Sequence, residues 1–135
     1  MEVLQTIPLL RIFSIDKARE FYVGFLGFQI DWEHRFEADA PLYVQISRDG
    51  CVLHLTEHYG DCCPGTTVFL WMTGLSEYHA EITARNYPYM RPGIEEAPWN
   101  ARLMEVIDPF GNRLRFNEDQ VEEDQTAAET GETPG

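Results

Sequence analysis

A pattern of strand and helix signals that occurs twice constrains this chain more than any other feature. Residues 1–57 predict one strand, one helix and three further strands, and residues 66–118 predict the same order again. The turn glycines that precede the last strand of each half, Gly50 and Gly111, stand 61 positions apart (111 − 50). A repeat of this kind indicates an internal duplication that gives two similar modules.

The first module has well-marked elements. Val3 to Phe13 is an apolar run that predicts a strand, and Pro8 places it near a sheet edge or a bulge. Apolar residues then recur at helical spacing from Ala18 to Leu26, and Gly27 ends the helix. Strands of alternating polarity follow at 28–33, 42–47 and 51–57. An Asp49-Gly50 pair predicts a tight hairpin between the last two strands.

The second module repeats these signals after a polar connector at 58–65. Thr66 to Thr73 predicts a strand, and an apolar stripe beginning at Leu75 predicts a helix that ends near Asn86. A stretch rich in Pro and Gly allows a short strand around Tyr89, and hairpin strands follow at 102–107 and 113–116. We therefore expect an α+β fold of two βαβββ modules whose curved mixed sheets enclose a cleft.

The charge of the chain is strongly acidic and unevenly distributed. The 135 residues include 10 basic and 23 acidic side chains, a net charge of −13. Residues 118–135 contain seven of the acids and no Lys or Arg, which predicts an acidic, disordered tail over 119–135. An acidic surface disfavours nucleic acids and anionic membranes as partners and favours a cationic ligand.

The cysteine content and the first residues indicate the compartment. The chain begins without a basic segment followed by an apolar run, and no apolar stretch is long enough to span a membrane. Its three cysteines form neither a disulfide framework nor a paired zinc motif. We therefore expect a cytoplasmic protein with reduced thiols.

Two motifs carry a resemblance to a known family. Asp16-Lys-Ala-Arg-Glu-Phe-Tyr, with Leu26-Gly-Phe after it, follows the first strand, and Asp108-Pro-Phe-Gly-Asn precedes the last one. Together with the βαβββ repeat, they make residues 5–118 resemble the vicinal oxygen chelate superfamily, and within it the glyoxalase/bleomycin resistance protein group. The resemblance implies the fold but not the function, because that superfamily includes lyases, dioxygenases and non-catalytic antibiotic binders.

The resemblance also implies where the enzymes of the family hold a divalent metal. Those positions are here Ile7, His54, Thr67 and Arg115, of which only His54 is a metal ligand type. One imidazole does not hold a divalent ion, and a guanidinium opposes one. We therefore expect no metal, no cofactor and no catalytic residue. The alternatives are a metal-dependent glyoxalase-like lyase or extradiol-type dioxygenase with ligands elsewhere, and a fold that serves only as an interaction module.

Resemblance to the bleomycin resistance proteins implies a different use of the cleft. In those proteins, halves from two subunits form an aromatic-lined groove that sequesters a flat cationic drug. Trp99 precedes Asp108 with eight residues between them, the spacing of the ligand-stacking tryptophan in those proteins. We therefore expect a homodimer that confers antibiotic resistance by binding a small aromatic or cationic molecule of the bleomycin type.

Further residues are expected to line that cleft because they are aromatic or polar and lie on strands or turns. They are Trp32, Phe36, Tyr43, His54, Phe69, Arg102, Phe110 and Arg115. The two arginines favour a carboxylate or phosphonate rather than a cation, which weighs against bleomycin itself.

Overall fold

The computed structural model describes residues 1–120 and divides into two compact units. Of the described residues, the first unit comprises 1–68 and 107–113, and the second comprises 69–106 and 114–120. The acidic tail expected at 119–135 lies outside the described residues, apart from its first two positions. None of the helices within residues 1–120 combines the length and the apolar character of a membrane span.

The first unit contains a four-stranded mixed sheet and one helical segment. The elements are β1 (Leu9–Arg11), α1 (Ile15–Ala18), β2 (Gln29–His34), β3 (Tyr43–Arg48) and β4 (Cys51–Thr56). The strand order is β1-β4-β3-β2, with β1 parallel to β4 and the other pairs antiparallel. Ser14 caps α1 by accepting from the Lys17 amide, and α1 continues directly into π-helical turns at Arg19–Phe25.

The core of this unit follows from the two periodicities of its sequence. The predicted helical stripe is buried; its residues are Ala18, Phe21, Tyr22, Phe25 and Leu26. Alternate residues in the middle of β3 and β4 are also buried, namely Val44, Ile46, Leu53 and Leu55. One face of the sheet is therefore packed, and the other face is left open for polar and aromatic side chains.

The second unit repeats this arrangement. Its elements are β5 (Thr67–Trp71), α2 (Leu75–Thr83), β6 (Ile94–Ala97), β7 (Ala101–Ile107) and β8 (Arg113–Asp119). The strand order is β5-β8-β7-β6. Leu75, Tyr78 and Ile82 of α2 are buried, and the Tyr78 ring lies 5.3 Å from the ring of Phe116 on β8.

Two predicted strands differ from the observed ones, and prolines lie where the first begins and where the second was expected. The first strand covers only Leu9–Arg11 rather than 3–13, because pairing with β4 starts at Pro8, whose carbonyl accepts from the His54 amide. The short strand expected around Tyr89 lies instead at Ile94–Ala97. Pro88 and Pro92 lack the amide hydrogens that a strand around Tyr89 would need.

The hairpin predicted between β3 and β4 has the expected turn. Asp49 has a φ of 46° and Gly50 a φ of 89°, so both central residues adopt left-handed conformations. A two-residue turn of this kind matches the right-handed twist of the flanking strands. It fixes the register in which Gln45 pairs with His54.

A buried carboxylate joins three segments of the first unit. The Oδ2 atom of Asp108 accepts from the Tyr22 hydroxyl at 2.6 Å and from Asn112 Nδ2 at 2.8 Å. Its Oδ1 atom accepts from the amides of Phe110 and Asn112. Asn112 Nδ2 also donates to the Arg11 carbonyl at the end of β1. Tyr22 and Asp108, one from each sequence motif, therefore meet in one network.

Removing one donor from this network is expected to destabilise the protein. Burial and the Asp108 carboxylate raise the pKa of Tyr22 well above its usual value, so its hydroxyl remains a donor. Tyr22→Phe removes that donor, and we expect the free energy of unfolding to fall by about 2 kcal/mol. Urea unfolding followed by tryptophan fluorescence measures this change. The control is Tyr59→Phe, which removes a fully exposed hydroxyl; equal midpoints for the two variants would contradict the role of the network.

Candidate functional site

The open face of the first sheet is the side opposite its packed core. Alternation along β3 and β4 places Tyr43, Gln45 and His54 on this face, and all three side chains are half-buried. Asp31 and Trp32 of β2 complete it. These five residues are called the open face of the first sheet below.

A β-bulge in β2 brings Asp31 and Trp32 to the same side. Ile30 pairs with Ile46 and Trp32 pairs with Gln45, so Asp31 has no partner in the ladder. Consecutive strand residues normally point to opposite faces, and a bulge interrupts that alternation. The Asp31 carboxylate accepts from Gln45 Nε2 and Ser47 Oγ, both at 3.0 Å, on the face where the Trp32 ring also lies.

Four side chains of the open face form a directional hydrogen-bond chain, called the His54 chain below. His54 Nε2 lies 3.0 Å from Gln45 Oε1, which can only accept, so Nε2 carries the hydrogen. The neutral imidazole then accepts at Nδ1 from the Tyr43 hydroxyl, 2.6 Å away. Gln45 in turn donates from its Nε2 atom to the carboxylate of Asp31. The chain therefore runs from Tyr43 to the carboxylate of Asp31.

Aromatic rings cover this chain. The Trp32 and Tyr43 rings are stacked, with centroids 6.0 Å apart and an interplanar angle of 8°. The Trp32 ring also meets the His54 ring edge to face at 5.4 Å. Phe36 lies farther out, 4.7 Å from the His34 ring and 6.1 Å from the His58 ring. The structure thus groups Trp32, Tyr43 and His54 closely, whereas Phe36 packs against His34 and His58, of which His58 lies 6.4 Å from the Tyr43 ring.

The second sheet has an aromatic open face of its own. Phe69 and Trp71 alternate with buried Val68 on β5, and their rings meet at 5.2 Å. Trp99 lies at the tip of the β6–β7 hairpin, 6.0 Å from the Phe69 ring. Its Nε1 donates to Oδ1 of Asn117, which is completely buried and donates in turn to the Arg115 carbonyl. The indole of Trp99 is therefore fixed by a side chain from another strand.

The two predicted arginines occupy different environments. Arg115 Nε donates to Glu105 Oε2 at 2.7 Å, forming an ion pair between β8 and β7. Arg102 contacts Ser76 of α2 at 3.1 Å and Glu118 at 2.6 Å, so it lies on the helix side of the second sheet. The structure does not bring Arg102 together with Phe69 and Trp99.

Phe110 lies apart from both open faces. Its ring packs 6.1 Å from the Phe13 ring, and the Arg11 guanidinium lies 4.6 Å from the centre of Phe13. The amide of Phe110 donates to Asp108. Phe110 thus belongs to the surroundings of the buried carboxylate network rather than to the aromatic groups of either sheet.

The residues at the metal positions do not fit a divalent ion. Both ring nitrogens of His54 have hydrogen-bond partners, and Arg115 forms an ion pair. Ile7 supplies no donor atom. Across residues 1–120, no three His, Cys, Asp or Glu side chains come close enough together to hold a metal. These side chains therefore do not form a donor set for a metal.

Sequence reasoning left several open-face residues out of the expected set. Trp71 could have been included because it stands two positions after Phe69 on the same strand. Gln45 and Asn117 carried no signal, since an amide in a strand has no motif of its own. Asp31 could not be assigned to a face because its position depends on the bulge.

The family of the chain follows from comparison with known proteins. The family model described as glyoxalase superfamily protein matches residues 1–123. The chain belongs to the glyoxalase superfamily. The family predicted from the two motifs is therefore confirmed, as is the predicted fold of two modules with four-stranded mixed sheets. Comparison with curated proteins gives no match.

Solved structures with the same fold include bleomycin-binding proteins and a bleomycin resistance determinant. A bleomycin-binding protein complexed with bleomycin has a TM-score of 0.67 at 22% identity, with 87% of this chain and 99% of that chain covered. A bleomycin resistance determinant encoded on the transposon Tn5 has a TM-score of 0.68 at 21% identity, with coverages of 87% and 99%.

A third structure comes from an organism that makes the drug. The bleomycin-binding protein from bleomycin-producing Streptomyces verticillus, complexed with copper(II)-bleomycin, has a TM-score of 0.63 at 24% identity. The alignment covers 86% of this chain and 96% of that chain. At such identities the likeness establishes the fold alone.

The His54 chain generates a pH-dependent prediction. Burial lowers the pKa of His54 below its usual value of 6.5. The unfolded chain therefore takes up this proton more readily than the folded protein, so the stability gained from the neutral imidazole is complete above pH 6.5 and is lost as the pH falls towards the folded pKa. An NMR titration of the histidine ring protons should give a midpoint below 6.5 for His54. A midpoint at or above 6.5 would contradict the buried, neutral imidazole.

Proposed function

We propose that this protein binds and sequesters a small molecule that combines a planar aromatic group with a cation, without altering it chemically. The observation that carries the proposal is the exposure of all three tryptophans of the chain. Trp32, Trp71 and Trp99 are 42%, 60% and 46% exposed, and each belongs to the open face of a sheet. Exposed tryptophans grouped with other rings are typical of surfaces that stack on a ligand.

The likeness to bleomycin-binding structures supports a drug of that type as the ligand and resistance by sequestration as the role. No observation on the described residues favours the metal-dependent lyase or dioxygenase, because the residues at the metal positions are not a donor set.

The three cysteines, Cys51, Cys62 and Cys63, are free thiols, which supports a reducing, cytoplasmic setting.

Bleomycin itself is the first ligand to test. We expect calorimetric titration of the protein with metal-free and copper(II)-loaded bleomycin to give saturable binding. Trp99→Ala should weaken it by about 10-fold or more, because a stacking ring is removed. The matched control is Tyr59→Ala, which removes an exposed ring outside both open faces and should leave the affinity unchanged. Absence of binding by the wild-type protein would remove bleomycin as the ligand.

We also propose that the protein is a homodimer, as the resemblance implies. Exposed apolar side chains at the start of the chain, Met1, Val3 and Leu4, support association because they find no cover among the described residues. Sedimentation velocity should therefore give twice the mass of one chain across the micromolar range. A species of single-chain mass at high micromolar concentration would contradict the dimer.

A further inference from the structure

The charge of Asp31 distinguishes the open face of the first sheet from an ordinary polar surface. Its carboxylate accepts from Gln29, Gln45 and Ser47, all of which are neutral donors. These hydrogen bonds, that of Gln45 first, lower the pKa of Asp31, so the group is anionic at neutral pH. The carboxylate is therefore held in place by the strands while its charge has no counterion among the described residues.

The direction of the His54 chain adds further acceptor capacity. Because the Tyr43 hydroxyl gives its hydrogen to His54 Nδ1, its oxygen lone pairs are left to accept from outside. Gln45 Oε1 and both oxygens of Asp31 are acceptors as well. The face thus presents acceptors around the Trp32 ring, and its ideal complement is a ligand with several N–H donors.

The bulge places two groups that can bind a cation side by side. It places an anionic carboxylate and an indole, at consecutive positions, on the same face of one strand. An ammonium, amidinium or guanidinium group is attracted both by a carboxylate and by the face of a tryptophan ring. A planar cation such as an amidinium can stack on the ring and donate in its own plane at the same time.

We propose that Asp31 and Trp32 form a binding subsite for the planar cationic group of the ligand, with the Tyr43 oxygen as a further acceptor. The inference rests on the proposed function and names the residues that select the charge of the ligand. On this proposal, the two residues at the bulge of β2 select a cationic ligand, and the acidity of the whole chain does not.

Benzamidine and its neutral analogue benzamide test the subsite in the full-length protein. Both probes carry the same ring, and only benzamidine carries a charge. At neutral pH, where the His54 imidazole is unprotonated, benzamidine should shift the NMR signal of the Trp32 indole N–H and bind about 10-fold more tightly than benzamide. Equal affinities of the wild-type protein for the two probes would overturn the subsite without the use of any variant.

Variants then locate the charge. Asp31→Asn should reduce the affinity for benzamidine about 10-fold and leave that for benzamide unchanged. The matched control is Glu33→Gln, which makes the same change two positions away, on the opposite face, where Glu33 pairs with Arg19. An equal loss in both variants would overturn the subsite, because it would show a response to net charge alone.

A second variant keeps Asp31, so a change in binding cannot result from a disturbed bulge. Trp32→Leu leaves the carboxylate and its three donors in place and should weaken benzamidine binding about 2- to 5-fold, as expected for the loss of a cation–π contact. An unchanged affinity would contradict the role of the ring.

Titration with bleomycin separates this inference from the proposed function. If bleomycin does not bind and benzamidine binds with dependence on Asp31, the subsite stands and bleomycin is not the ligand. If bleomycin binds equally to the wild-type protein and to Asp31→Asn, and benzamidine does not bind, the proposed function stands and the subsite is wrong.

Discussion

The buried carboxylate of Asp108 is the interaction on which the first unit depends. It accepts four hydrogen bonds from three partners, Tyr22 of the helical segment and Phe110 and Asn112 of its own turn. Asn112 extends the network to the Arg11 carbonyl and to the Thr66 amide. A buried charge is stable only when its hydrogen bonds are satisfied, so the loss of any one partner is costly. The stability of the first unit therefore depends on residues from both sequence motifs.

Much of the fold could be predicted from the sequence because its signals are local. The helical stripe before Gly27, the Asp49-Gly50 turn and the alternation in β3 and β4 each depend on residues within a few positions of one another. The misplaced strand near Tyr89 shows the limit of such signals. The residues around β6 are interrupted by prolines, and the strand exists because β7 supplies its pairing partners from Ala101 to Met104.

The candidate site was predictable in its residue types but not in its geometry. Aromatic side chains at Trp32, Tyr43 and Trp99 suggested a stacking surface, and the structure places each of them on an open face. Arg102 was expected in the same cleft as a polar residue, yet it lies against α2, where it donates to Ser76 and to Glu118. A bulge changes the face to which every later residue of the strand points. The sequence of β2 contains no glycine from which the bulge could have been predicted.

The two open faces differ in how their charges are balanced, and this difference bears on selectivity. On the second sheet, Arg115 and Glu105 neutralise each other, so Phe69, Trp71 and Trp99 offer an aromatic surface without a net charge from that pair. On the first sheet, Asp31 keeps its charge beside Trp32, since only neutral groups donate to it. A flat ring could stack on either surface, but a cation gains electrostatic attraction only on the first sheet. Discrimination between charged and neutral aromatic ligands is therefore expected at the open face of the first sheet rather than at that of the second.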